Sequence, residues 1–238
     1  MKSLISSAEI EELGEKLIRD YIGGREPPHC VDIEGFLTEY LQLPLRYESM
    51  AETDPDKIGF VSDGAYPLKI RGRDGIEEKV FPKGTVVIDR FLLRPGESGR
   101  RRFTIAHEGA HILLDRMSPI PVQPRFSRVF ACEQQYDAKE LFARFNLNEI
   151  QSDEMAAVLL MPRFLIARSL DEFADGKPIP LYGSNVFDPS DKLVLQRMAD
   201  AMGVSYTALV IRLRGLGLLE RHDLSEYVEK QFRAGGVC

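Results

Sequence analysis

Apolar residues recur along the chain with two different periods. Over 7–22, Ile10, Leu13, Leu17, Ile18 and Tyr21 fall at helical spacing, and Gly23–Gly24 close that helix. Pro27–Pro28 stiffen the link to a second helix, expected from Val31 to about Leu43, which starts near Asp32 and is stopped by Pro44. From 44 to 90 the period shortens. "LPLRYESM", "KIGFVS", "YPLKIRG" and "GTVVID" are short, partly alternating runs separated by Gly, Asp and Pro turns. They predict a small, mostly antiparallel sheet. A basic turn, "RPGESGRRR", leads into a helix over 101–116. Residues 118–137 begin Pro-rich and end aromatic, and are expected as a long irregular connection with the character of a lid. A further helix over 147–161 is stopped by Pro162. "ADGKPIPLYGSNVFDPSD" reads as loop, and 190–238 as three short helices. The expected fold class is α+β, with a main domain over 1–172 and a small helical domain over 173–238.

The helix over 101–116 otherwise reads as a buried one, yet it carries His107, Glu108 and His111, and so two of the chain's four histidines. His107 and His111 stand at i and i+4, on one helix face about 6 Å apart along the axis. That spacing lets both imidazoles reach one Zn2+ at about 2.0–2.1 Å. Glu108 lies about 100° further round, where it reaches a water on the metal but does not share the metal as an equal ligand. HExxH on a helix is the zincin signature, with the glutamate as general base. The plainer reading, separate hydrogen-bonded core residues, needs three partners inside an apolar helix, and each unpaired buried polar group costs about 1–3 kcal/mol. One ion satisfies both imidazoles at once.

A catalytic zinc site takes a third protein ligand. "ILLDRMSPI" over 112–120 offers no histidine, and His29 and His222 are remote in sequence. A carboxylate of the 147–161 helix is the better candidate. Glu149 is its first acidic residue and Asp153 stands one turn on, a spacing that suits a ligand and a supporting carboxylate. Glu149, Asp153 and Glu154 read equally well as a solvated face that suits a helix N-terminus. Ile150, Met155, Ala156, Leu159 and Leu160 form the apolar face, and the small Ser152, Ala156 and Ala157 permit close helix packing.

A net charge of −6 argues against a dedicated nucleic-acid binder. Cys30, Cys132 and Cys238 form no Cys-x-x-Cys pair, so neither a disulfide framework nor a cysteine zinc site is indicated, and a reducing cytosol fits. The start, "MKSLISSAEIEELGEKL", turns acidic before an apolar secretory core forms, and no run approaches the roughly 18 apolar residues of a membrane span. A cytoplasmic protein with no membrane partner is expected. Cys132 is placed to cap the zinc of a latent form, although a structural thiol is the more ordinary role. "RMADAMGVSYTALVIRLRGLGLLE" has helix-turn-helix character, with a reading helix from Ser205 that would expose Tyr206, Thr207, Arg212 and Arg214. Its nearly neutral surroundings favour a packing module over a DNA reader.

Four ordered segments resemble the ImmA/IrrE family of metallopeptidases: "VDIEGFLTEYLQLPLRYE" at 31–48, "RFTIAHEGAH" at 102–111, "EIQSDEMAAVLLMP" at 149–162 and "MGVSYTALVIRLRGLGLL" at 202–219. The resemblance implies a zincin-like metallopeptidase domain that binds one Zn2+ per chain through His107, His111 and Glu149, with Glu108 as general base. It also implies cleavage of a regulatory protein substrate, a helix-turn-helix repressor, so that its genes are switched on. Tyr136, or an arginine of 100–102, is a candidate donor to the oxyanion. The chain departs from the family pattern in the order of Gly109 and Ala110. It also has Ser152 for the usual alanine, Met155 for phenylalanine, and a longer connection over 118–148. The alternative is a non-proteolytic regulator that binds a repressor or DNA, with zinc only holding two helices together.

Overall fold

A computed structural model describes residues 5–53, 57–117, 125–128 and 147–235 of the chain. By compactness the chain falls into two units, Met1–Pro162 and Arg163–Cys238. Both helices and strands are present, so the chain is α+β.

The first unit opens with α1 (Ser7–Ile22), held at its start by a capping box. Ser6 Oγ accepts from the Glu9 N–H, and the Glu9 carboxylate accepts from the Ser6 N–H. Ile10, Gly14, Ile18 and Ile22 form its buried stripe. The second expected helix is shorter than 31–43 and locally underwound. Asp32 caps one turn, α2 (Ile33–Gly35), which widens into a π-helical turn over Phe36–Tyr40 with Phe36 and Leu37 buried.

Among the described residues of this unit six strands follow: β1 (Leu45–Glu48), β2 (Lys57–Val61), β3 (Leu68–Arg71), β4 (Ile76–Lys79), β5 (Val86–Asp89) and β6 (Arg125–Arg128). The main sheet has the order β1-β5-β2-β6, with β1 parallel to β5 and the other two pairings antiparallel. β3 and β4 form a separate hairpin. Met50, Phe60, Leu68, Ile70, Phe81 and Val87 pack into one core cluster. β6 corrects the expectation of an irregular connection after 118. Its four residues are too few to show a period of two behind Pro119, Pro121 and Pro124.

α3 (Ser98–Met117) begins before the expected residue 101 and takes Arg100, Arg101 and Arg102 out of the supposed basic turn. Arg101 Nε lies 3.4 Å from Glu34 Oε1, and Arg102 Nη2 donates to the Val31 carbonyl at 2.7 Å. α3 packs on β2 and β5, α4 (Leu147–Leu160) packs along α3, and α1 packs on α4. Gly14 makes the last contact possible, since a Cβ there would lie 2.5 Å from Val158 Cγ1. Met155, Ala156, Leu159 and Leu160 are buried as expected, but Ile150 is exposed, because α4 turns residues 149, 152 and 153 toward α3.

The second unit holds α5 (Arg163–Ala174), β7 (Ile179–Tyr182), α6 (Pro189–Met202), α7 (Tyr206–Gly215), β8 (Leu219–His222) and α8 (Leu224–Gly235). The three helices expected over 190–238 are present, and the parallel pair β7–β8 joins them. α5 packs against α6 within this unit, whereas the sequence reading cuts it at 172. Gly203, in the left-handed region at φ 64°, ends α6, and Ser205 caps α7 by accepting from the Ala208 N–H. Arg212 is buried, unlike the exposed position a DNA-reading helix would give it. No helix among the described residues is long and apolar enough to cross a membrane.

Candidate metal centre

Helix geometry places the two faces of α3 on different neighbours. His107 and His111, one turn apart, meet α4, while Glu108, turned about 100° away, meets the sheet. All three side chains are buried, Glu108 completely.

From α4 come Glu149, Ser152 and Asp153, spaced i, i+3, i+4, so that all three project toward α3. Glu149 Oε2 lies 3.3 Å from His107 Nε2 and 3.5 Å from His111 Nε2. The imidazole rings stand edge to face, 4.6 Å between centroids. A tetrahedron with arms of about 2.05 Å has edges of about 3.3 Å, so these separations are those of ligands around one small divalent ion. His107 Nε2 is buried and faces Glu149 Oε2 at 3.3 Å without a well-formed hydrogen bond. Ligation to a metal would give this buried nitrogen a stronger partner than that long contact. The group His107, His111 and Glu149 can hold a metal ion.

The outer ring nitrogens are also held. His107 Nδ1 lies 2.7 Å from Asp153 Oδ1, and His111 Nδ1 lies 2.9 Å from Ser152 Oγ. Burial by itself would lower the His107 pKa, but the carboxylates of Asp153 and Glu149 reverse that and raise it to about 10. Burial likewise opposes ionisation of Glu149, and His107 and His111 overcome it and hold the carboxyl well below its ordinary range. The cluster is therefore built to stabilise a positive charge between the rings, and a divalent ion competes there with the His107 proton.

Glu108 rests against a gap in the sheet. A Cβ on Gly59 of β2 would fall 2.2 Å from Glu108 Oε1 and 2.8 Å from Thr104 Cγ2. The β2–β6 register slips between Lys57 and Gly59, beside that contact. Gly109 makes a similar close approach, since a Cβ there would lie 2.7 Å from Leu37 Cδ1 of the π turn. Leu37 thus packs where a side chain at 109 would stand.

The structure brings together His107, His111, Glu149 and Asp153, and sets Glu108 beside them on the same helix. Tyr136 and Cys132 lie outside the described residues. Arg101 and Arg102 are engaged with the α2 region, away from the histidines, and Arg100 lies over the Phe91 ring. Two participants escaped the sequence reading. Ser152 carried only a packing role there, although its place one residue before Asp153 put it opposite the second histidine. Gly59 was signalled by its position inside the strand run "KIGFV", where a glycine marks a bulge or a close approach. No protein-family model matches the chain, and no curated protein matches it.

Proposed function

We propose that this chain is a zinc-dependent endopeptidase that cuts a regulatory protein, in a domain of the zincin type. The observation that carries the reading is that Glu149 Oε2 stands at a tetrahedral-edge distance from both His107 Nε2 and His111 Nε2, with a glutamate at the position after the first histidine. Two neutral imidazoles and one carboxylate suit zinc, and three protein ligands leave a fourth position to chemistry. A zinc ion held there would supply Lewis acidity to a water and to a substrate carbonyl.

The rest falls to the chain's own residues. Glu108, held against Gly59 in a water-poor setting, takes the proton of the attacking water and passes it to the leaving amide nitrogen. Asp153 holds His107 with Nδ1 protonated, so that Nε2 offers its lone pair to the centre. α3 and α4 are packed along their length, which fixes the three ligand atoms before substrate arrives. The four segments resembling ImmA/IrrE proteins support a helix-turn-helix repressor as the substrate and a cytoplasmic setting.

Elemental analysis of the wild type and Glu149→Ala, with cleavage of a panel of helix-turn-helix repressors by the wild type and Glu108→Gln, tests the proposal. The expected result is about one zinc in the wild type and clear loss in Glu149→Ala. Glu108→Gln keeps the zinc and loses about 10²-fold or more of the cleavage rate. Full cleavage by Glu108→Gln would remove the glutamate from the mechanism. A zinc-loaded wild type that cuts nothing in the panel would favour the non-proteolytic regulator.

A further inference from the structure

The two ring nitrogens that face away from the centre are supported by adjacent residues of one helix, and the two supports differ in charge. His107 has the Asp153 carboxylate at 2.7 Å, and His111 has the Ser152 hydroxyl at 2.9 Å. Ser152 is completely buried and His111 nearly so.

A histidine that binds a metal through Nε2 must carry its proton on Nδ1, and a buried N–H needs an acceptor. Among the described residues, the oxygen within hydrogen-bond distance of His111 Nδ1 is Ser152 Oγ. We propose that Ser152 is the positioning residue of His111: its hydroxyl accepts from Nδ1–H, fixes the tautomer, and turns the Nε2 lone pair toward the position beside Glu149 Oε2 that a metal would take. The inference rests on the metal-site reading above and goes beyond it, because it assigns a role to a neutral residue outside the ligand set.

The difference in charge gives the assignment its chemistry. A carboxylate behind an imidazole draws on its proton, makes the ring a stronger donor and lessens the positive charge left on the metal. A hydroxyl directs the ring without adding a charge. With Glu149 and Asp153 already negative, a neutral support at 152 aims His111 while leaving the metal its Lewis acidity. The α4 face of residues 149, 152 and 153 therefore supplies one ligand and both supports, one charged and one neutral.

Ser152→Ala removes one oxygen and leaves the helix packing in place. The full chain is compared with this variant in three measurements: the zinc dissociation constant by chelator competition, the visible spectrum with Co2+ in place of zinc, and the melting temperature of the metal-free protein. The expected result is zinc binding weakened about 10–100-fold, shifted Co2+ bands, and an unmoved metal-free melting temperature. Zinc binding within about twofold of wild type would overturn the role. So would a lowered metal-free melting temperature with unchanged Co2+ bands, which would make Ser152 a packing residue only. A wild-type chain that binds neither metal would overturn the metal-site reading itself, and this inference with it. That outcome is distinguishable because it appears before any substitution is made.

Discussion

Gly59 is where a single hydrogen atom in place of a side chain decides where the proposed base sits. The carboxylate of Glu108 fills the space a Cβ would take, with Oε1 at 2.2 Å from that position. Alanine at 59 must push the carboxylate away, because β2 is paired on both edges and cannot retreat. Overpacking of this kind costs about 1–3 kcal/mol of stability. Its effect on rate is larger, since a displacement near 1 Å at a reacting group costs about 10²-fold. Gly59→Ala is therefore expected to keep its zinc, because His107, His111 and Glu149 lie on the α4 side of α3, and to lose about 10²-fold of peptide cleavage. Zinc analysis and cleavage assays run side by side check this, and wild-type activity in Gly59→Ala would show that the base does not work from this position.

At the scale of elements, α1 is joined to α4 by a close approach at Gly14, and two opposed effects can be weighed there. In an exposed helix, glycine to alanine stabilises by about 1 kcal/mol. At 14 the added Cβ meets Val158 Cγ1 at 2.5 Å and Met155 Sδ at 3.2 Å, and this overpacking outweighs the propensity gain. Gly14→Ala is expected to lower the stability of the first unit by about 1–2 kcal/mol, and Val158→Ala to relieve it, as a double-mutant cycle in denaturant would read. A stabilised Gly14→Ala would mean that the helices do not meet here. The same contacts explain what was legible in the sequence. α1, α3 and α4 announce themselves through their apolar stripes, and HExxH marks two candidate ligands and a candidate base by spacing alone. Glu149 and Asp153 were readable only as candidates, because a first-turn carboxylate has a sound electrostatic reason to be there without a metal. β7 was hidden by Pro178 and Pro180, which a two-stranded pair tolerates because each strand is an edge. α5 is masked by Pro162, which marks the stop of one helix and stands just ahead of the next, where Leu165, Ile166 and Leu170 form a helical face.

At the scale of the whole molecule, the helix-turn-helix character of 189–215 is present in form without the cations that DNA binding requires. Protein–DNA affinity comes chiefly from side chains that neutralise phosphates, and it declines steeply as those contacts are lost. Over 163–238 the chain has ten Lys and Arg against ten Asp and Glu. On α7, Arg212 is buried, and Arg214 donates to the Ser184 carbonyl at 3.2 Å and to Asn185 Oδ1 at 3.3 Å. Tyr206 and Thr207 are half-buried. With Arg214 tied back and Arg212 inside, the helix that would enter a groove offers little to a phosphate. The expected outcome is that the full chain gives no shift of mixed-sequence duplex DNA at about 50 mM salt at protein concentrations of about 10 µM, within the range where non-specific binders respond. A shift that weakens steeply with added salt would instead show phosphate neutralisation and return the second unit to a DNA-binding role. Without such a shift, α6 and α7 are left as a packing module, and recognition of the proposed substrate would have to come from protein–protein contact.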